Sequence, residues 1–160
     1  MGKLYRFVWV VTALLISSVS YAEKIEVSGA WTRATAPGQE AAGVDLSITS
    51  QRAASLVGVS SPASATAELH GMSSENGMMK MREVKVIELP AGKLVNLRES
   101  GYHLMLNGLK APLKEGDSIP LSLSIKMANK RLVKVETKAE VKSLTATGAV
   151  ETGSEHHHNH

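Results

Sequence analysis

The most informative absence in this sequence is cysteine, which does not occur among its 160 residues. A disulfide framework, thiol redox chemistry and a catalytic thiol are therefore excluded for this chain. Aromatic residues are also scarce, at 4%, and only Trp31 and Tyr102 follow residue 22. Such a chain offers no stacking platform for sugars, which argues against a carbohydrate-binding or adhesion module.

A strong excess of either charge is likewise missing once the N-terminal segment is set aside. The chain has 18 basic and 15 acidic residues, and two of the basic ones, Lys3 and Arg6, lie in that segment. The remainder is close to neutral and shows no basic stripe with interleaved aromatic residues. We therefore expect no nucleic acid among its partners.

Long hydrophobic runs are absent except near the N-terminus. Lys3 and Arg6 precede an apolar run at residues 7–16, and small residues lead to Ser20-Tyr21-Ala22. This pattern predicts a cleavable Sec-type signal peptide over residues 1–22 and a periplasmic protein that begins at Glu23. The run is too short to span a bilayer, and no cysteine follows it to carry a lipid. We expect no stable membrane insertion.

The dominant hydrophobic period after residue 23 is two, which is typical of β-strands. Turn signals such as Asn76-Gly77 and Glu115-Gly116-Asp117 separate the segments. The pattern predicts an all-β sandwich or Greek-key barrel over residues 23–142. Residues 143–160 change to Thr, Gly, Ala, Ser and Glu without a period, and we expect a flexible tail. The predicted strands cover residues 25–31, 44–48, 55–59, 66–72, 79–86, 93–97, 102–106, 119–127 and 131–141.

Two histidines and two methionines stand out by their spacing. His70, Met81, His103 and Met105 form the pattern H-x10-M-x21-H-x-M, and no other histidine precedes residue 156. Residues i and i+2 of a strand point to the same face, so His103 and Met105 present an imidazole beside a thioether. Neutral nitrogen and soft sulfur ligands select Cu(I) over harder ions. The four residues are thus candidate ligands of one Cu(I) ion.

Each of these residues also has a structural explanation when taken alone. A single histidine on a strand is usually a surface or core residue, and a methionine such as Met81 can be an apolar gap-filler. Met79 shares a face with Met81, and the spacing favours Met81 as the ligand. Met72 and Met79 are candidate auxiliary ligands.

The chain resembles the periplasmic copper chaperone family PCuAC, whose signature is H-x10-M-x21-H-x-M. The resemblance covers roughly residues 24–140 and includes the segments 31–38, 89–92 and 101–113. It implies a cupredoxin-like β-barrel that binds one Cu(I) near its surface through His70, Met81, His103 and Met105. It also implies delivery of copper to the Cu(A) centre of cytochrome c oxidase, directly or with an Sco-like protein.

The last five residues form a second histidine cluster, His156, His157, His158 and His160. Imidazole nitrogens suit Cu(II), Ni(II) or Zn(II). One interpretation is a weaker natural Cu(II) site, of the kind that some members of the resembled family carry. The other is the remnant of an affinity tag, against which Asn159 and the retained signal segment argue.

The residues favour a carrier over an enzyme. A blue-copper electron carrier needs a cysteine thiolate, and no carboxylate–histidine constellation indicates a catalytic centre. We expect a monomeric Cu(I) metallochaperone whose partner is the apo Cu(A) domain of oxidase subunit II or an Sco-like protein. The alternative is a periplasmic protein that sequesters copper for resistance.

Overall fold

The computed structural model describes residues 24–146, and in this range the chain forms ten β-strands and no helix. The all-β prediction is confirmed. The strands are β1 (Ile25–Arg33), β2 (Ala41–Ser50), β3 (Ala54–Ser60), β4 (Ser64–Glu75), β5 (Met78–Glu83), β6 (Ile87–Leu89), β7 (Leu94–Asn96), β8 (Tyr102–Leu109), β9 (Ser118–Met127) and β10 (Leu132–Lys142).

The strands join into one hydrogen-bonded sheet with the order β5-β4-β8-β2-β1-β10-β9-β3-β6, and β7 pairs with β2 beside this path. The pair of β1 with β10 is parallel, whereas the other pairs recorded between described strands are antiparallel. Non-consecutive neighbours such as β8 and β2 require the crossings of a Greek-key, cupredoxin-like arrangement. β4, β8 and β2 consequently lie side by side although they are far apart in sequence.

Alternation along these strands separates the core from the outer face. In β2 the side chains of Val44, Leu46 and Ile48 are buried, and in β8 those of Leu104 and Leu106 are buried. Burying each such side chain contributes about 1.5–3 kcal/mol. The intervening residues point outward, so the polar and sulfur-containing side chains of β4, β8 and β2 share one surface of the sheet.

The predicted strand at 79–86 is wrong at its C-terminal end, because residues 84–86 lie between two strands that have different partners. β5 ends at Glu83 and pairs with β4 at one edge of the sheet, whereas β6 begins at Ile87 and pairs with β3 at the other edge. The apolar alternation changes phase here, from Met79 and Met81 to Val84 and Val86. This change marks the end of one strand, although periodicity does not show which strands the two parts pair with.

A bulge in β1 changes which of its side chains face outward. Ser28 pairs with Ser47 and Trp31 pairs with Asp45, so β1 has one extra residue between these pairs. Gly29 lies there with a φ of 59°, a left-handed conformation that glycine adopts without steric cost. Before the bulge the odd-numbered residues face the core, and after it Thr32 is buried. Trp31 thereby reaches the outer face.

Two predicted segments lie outside the described residues, namely the signal peptide at 1–22 and the histidine cluster at 156–160. The last strand ends at Lys142. Between residues 24 and 146 no helix is long and apolar enough to cross a membrane.

Candidate metal centre

His70 and His103 are directly opposite each other on the neighbouring strands β4 and β8. Opposite residues of an antiparallel pair have Cβ atoms about 4.5–5.5 Å apart and project to the same face. Both imidazoles are largely covered, with side-chain exposures of 20% for His70 and 28% for His103. The sheet therefore brings together two histidines that are separated by 32 residues of sequence.

The two candidate methionine ligands lie on either side of this histidine pair. Met105 is two residues beyond His103 on β8 and is opposite Glu68, while Met81 of β5 is opposite Met72. Both methionines are therefore diagonal neighbours of His70 on the same face, at a spacing that long side chains span. Imidazoles in the centre with a flexible thioether on each side form a donor set suited to a soft cation.

Asp45 of β2 fixes the orientation of His103. Its Oδ1 lies 2.9 Å from Nδ1 of His103, and its side chain is 18% exposed. Because a carboxylate accepts, Nδ1 donates and Nε2 keeps a free lone pair that can bind a metal. Arg98 lies on the other side of Asp45, with Nη1 4.0 Å from Oδ2. This is the carboxylate–histidine arrangement that orients metal ligands in many proteins.

Glu68 holds His70 in a similar way but through the other ring nitrogen. Nε2 of His70 lies 2.9 Å from Oε2 of Glu68, which is two residues earlier on the same face of β4. When Nε2 donates to this carboxylate, the lone pair of Nδ1 is available. The two histidines thus present different nitrogens, and each is hydrogen-bonded to a carboxylate.

The remaining methionines of the β4–β5 hairpin form an exposed sulfur-rich surface. Met72 is opposite Met81, and the two side chains are 42% and 43% exposed. Met79 is opposite Ser74 on the same face, whereas Met78 pairs with Glu75 and projects to the other face. Met72 is thus adjacent to the candidate site, and Met78 is separated from it.

Sequence reasoning did not identify Asp45 or Glu68. Glu68 could have been found, since it shares the face of His70 by alternation. Asp45 could not, because its proximity to His103 depends on the pairing of β2 with β8. Within residues 24–146 no group of three His, Cys, Asp or Glu side chains is placed to hold a metal ion. The tail histidines fall outside that range.

Solved structures of PCuAC domains have the same fold as this chain. A copper-bound PCuAC domain from PmoF2 superposes with a TM-score of 0.60 at 21% identity, covering 77% of this chain and 97% of that one. The Cu(I) form of DR1885 from Deinococcus radiodurans superposes with a TM-score of 0.52 at 28% identity, covering 73% of this chain and 77% of that one. The expected cupredoxin-like architecture is thereby confirmed.

Sequence comparison places the chain in a family. It is 39% identical over 103 residues to a "putative lipoprotein" of Leifsonia xyli subsp. xyli, a match that spans 64% of this chain and 62% of the relative. The match thus extends over less than two thirds of that relative's length. The family model described as "putative lipoprotein LpqE-like" matches residues 25–137, which include all four candidate ligands. The chain therefore belongs to the LpqE-like family and has the fold of PCuAC domains.

Proposed function

We propose that this protein binds one Cu(I) ion through His70, Met81, His103 and Met105 and carries it to an acceptor outside the cytoplasm. The observation that carries the proposal is the placement of the four residues on one face of β5, β4 and β8, with the histidines directly opposite each other. The copper-bound PmoF2 domain and the Cu(I) form of DR1885 share this fold and support the same metal.

The chemistry of the donors favours Cu(I). Two neutral imidazoles and two thioethers leave the single positive charge of Cu(I) unneutralised, and soft sulfur prefers this oxidation state. Carboxylates surround the centre without joining the donor set: Asp45 lies beside His103, Glu68 beside His70, and Glu83 opposite His70. Their negative charge stabilises a bound monovalent cation, and the second charge of Cu(II) would call for harder donors than thioethers.

The exposure of the ligands indicates how the metal leaves. Met81 lies on β5, an edge strand in which every residue is exposed, whereas the imidazoles are mostly covered. Edge elements with few buried contacts move most readily. An acceptor ligand can therefore replace Met81 first, while the histidines still hold the ion. This stepwise exchange suits a carrier rather than an enzyme.

We expect the acceptor to be an exported protein whose copper ligands include thiolates. Thiolates bind Cu(I) more strongly than thioethers do. Transfer of copper to a Cu(A) domain of oxidase subunit II or to an Sco-like protein therefore lowers the free energy. The relative named as a putative lipoprotein supports an exported protein. Residues 1–22 carry the signal-peptide pattern that would direct this chain to the periplasm.

Stopped-flow transfer from the Cu(I)-loaded protein to a reduced apo Cu(A) domain tests the carrier role. We expect one Cu(I) per barrel by native mass spectrometry and a transfer rate that rises with acceptor concentration, because exchange is associative. The Met78→Leu variant serves as a matched control because Met78 projects away from the site.

Transfer at a rate independent of acceptor concentration would contradict direct delivery. If, in addition, oxidase assembly is normal in a deletion strain under low copper, sequestration for copper resistance replaces delivery as the proposed role. Failure to bind Cu(I) at all would remove both.

A further inference from the structure

Strand β5 has one edge without a neighbour in the part of the chain that the structure describes. The sheet order begins with β5, which has β4 as its neighbour among the described strands, and each of its six residues is exposed. An edge of this kind presents backbone N–H and C=O groups to which another strand can bind. The copper proposal uses the sulfur of Met81 and does not use this edge.

The alternation of hydrogen bonds determines which backbone groups of β5 are free. Met72, which is opposite Met81, turns its N–H away from β5 and donates it to the carbonyl oxygen of Gly101 over 2.9 Å. Opposite residues of an antiparallel pair either exchange both hydrogen bonds or both turn their polar groups outward. The N–H and C=O of Met81 therefore point to the free edge, and by alternation so do those of Met79 and Glu83.

The charges of β5 disfavour a second copy of the chain as the occupant of this edge. Lys80 and Arg82 project to the face opposite Met81, and Lys85 follows the end of the strand. Two β5 strands related by a two-fold axis overlap most when they are centred on Met81 or on Lys80. The first register puts Lys80 opposite Arg82 of the other copy, and the second puts two lysines opposite each other. Like charges directly opposite are destabilising.

The same charges favour an acidic strand. Glu75 lies between the two cations, with Oε2 2.6 Å from Nη2 of Arg82 and 3.6 Å from Nζ of Lys80. One carboxylate thus faces two positive charges. Glu83 projects to the face of Met81, and Glu99 belongs to the turn before β8, on the other side of β4. Carboxylates on an added strand would therefore form favourable pairs opposite Lys80 and Arg82.

We propose that the free edge of β5 binds an extended acidic segment of the copper acceptor as an added antiparallel strand, with carboxylates opposite Lys80 and Arg82. The residue between these carboxylates then lies opposite Met81 and on the same face, with its Cβ about 4.5–5.5 Å away. A cysteine thiolate at that position would bind the ion as the thioether of Met81 leaves it. This purpose rests on the proposed function, whereas the strand pairing itself requires no metal.

Nuclear magnetic resonance of the metal-free full chain with a reduced synthetic peptide, Thr-Val-Glu-Cys-Glu-Val-Thr, tests the pairing. We expect hydrogen exchange of the amides of Met79, Met81 and Glu83 to slow by about tenfold or more, because these groups enter hydrogen bonds. Exchange at Lys80 and Arg82, whose amides point to β4, should stay unchanged and verifies that the hairpin is intact.

Two methylated peptides separate strand pairing from attraction between charges. N-methylation of the cysteine removes the N–H that bonds to the carbonyl oxygen of Met81, and should weaken binding by about tenfold or more. N-methylation of the preceding glutamate alters an N–H that points away from β5. This peptide is the matched control and should bind as the parent peptide does.

A charge exchange tests the choice of partner. Lys80→Glu/Arg82→Glu leaves the four candidate copper ligands in place and should bind the glutamate peptide about tenfold more weakly. It should bind instead the peptide in which lysines replace both glutamates. Cu(I) affinity is measured separately. A chain that binds the peptide but not Cu(I) would remove the proposed function and leave the strand pairing supported.

Unchanged exchange at Met81 in the presence of the peptide would overturn the proposal, as would equal binding of the two methylated peptides or equal binding of the glutamate and lysine peptides by the parent chain. Slow exchange at Met81 before any peptide is added would also overturn it, because the edge would already be occupied. Dependence of that exchange on protein concentration would identify a second copy as the occupant, and independence would identify another part of the same chain.

Discussion

Asp45 accepts a hydrogen bond from Nδ1 of His103 over 2.9 Å, reaching across from the strand on the opposite side of β8 from His70. The bond selects the tautomer in which Nε2 of His103 can bind a metal. Asp45 is thus a positioning residue for a histidine that is 58 residues away in sequence.

Replacing Asp45 separates this role from a general effect of charge. Asp45→Ala should weaken Cu(I) binding about 10- to 100-fold, the usual cost of losing such a partner. Asp45→Asn should bind nearly as well as the parent, because the amide oxygen still accepts from Nδ1. Competition with a Cu(I) chelator gives the affinities, and ¹⁵N shifts of His103 give the tautomer. Equal affinities and tautomers in all three proteins would exclude the positioning role.

Replacing the histidines tests the ligand set itself. His70→Ala and His103→Ala should each abolish tight Cu(I) binding while the circular dichroism spectrum of the metal-free protein is retained, since the core lies on the other face of the sheet. His158→Ala, in the segment beyond the described residues, should leave the Cu(I) affinity unchanged. If the double variant lacking His70 and His103 binds Cu(I) normally, the ion is held elsewhere.

The methionines of β5 allow a comparison within one strand. Met81→Leu should weaken Cu(I) binding by about tenfold or more, equivalent to about 1.4 kcal/mol, because it removes a sulfur donor from the site face. Met78→Leu makes the same chemical change on the opposite face and should have no effect. Titration with a Cu(I) chelator measures both. Equal losses of Cu(I) affinity would show that methionines on both faces of β5 contribute to copper binding.

Gly71 follows the candidate ligand His70 in β4, and its neighbours leave little room for a side chain. A Cβ atom added there would lie 3.1 Å from ring atoms of Tyr102 and from Cγ1 of Val84, which is tighter than ordinary contact. Gly71→Ala should therefore lower the free energy of unfolding by about 1–3 kcal/mol. At Gly58 a Cβ would lie 3.5 Å from that of Ser124, so Gly58→Ala is the control. Urea denaturation measures the free energy of unfolding of both variants. Equal values would mean that the side chain of Tyr102 shifts to make room for the added methyl group without a loss of stability.

The sequence predicts the parts of the site that depend on alternation within a strand. His103 and Met105 share a face, as expected from their i, i+2 spacing, and β8 includes the whole predicted segment. The sequence does not predict which residues become neighbours across strands. The opposition of His70 and His103 and the contact of Asp45 with His103 follow from which strands become neighbours. Greek-key pairing joins distant segments, and local periodicity contains no information about it.

The extra residue at the Gly29 bulge has a consequence for comparing relatives of this chain. The phase of β1 is set on one side by Ile25 and Val27, which pack against the core, and on the other by buried Thr32. A relative with one residue fewer between these anchors would turn the position of Trp31 inward, and no aromatic ring would then lie beneath Arg98 and Lys142. A single-residue gap at this point in an alignment therefore separates homologues that can place an aromatic side chain on the outer face beside Asp45 from those that cannot, whatever residues they carry at the four candidate metal ligands.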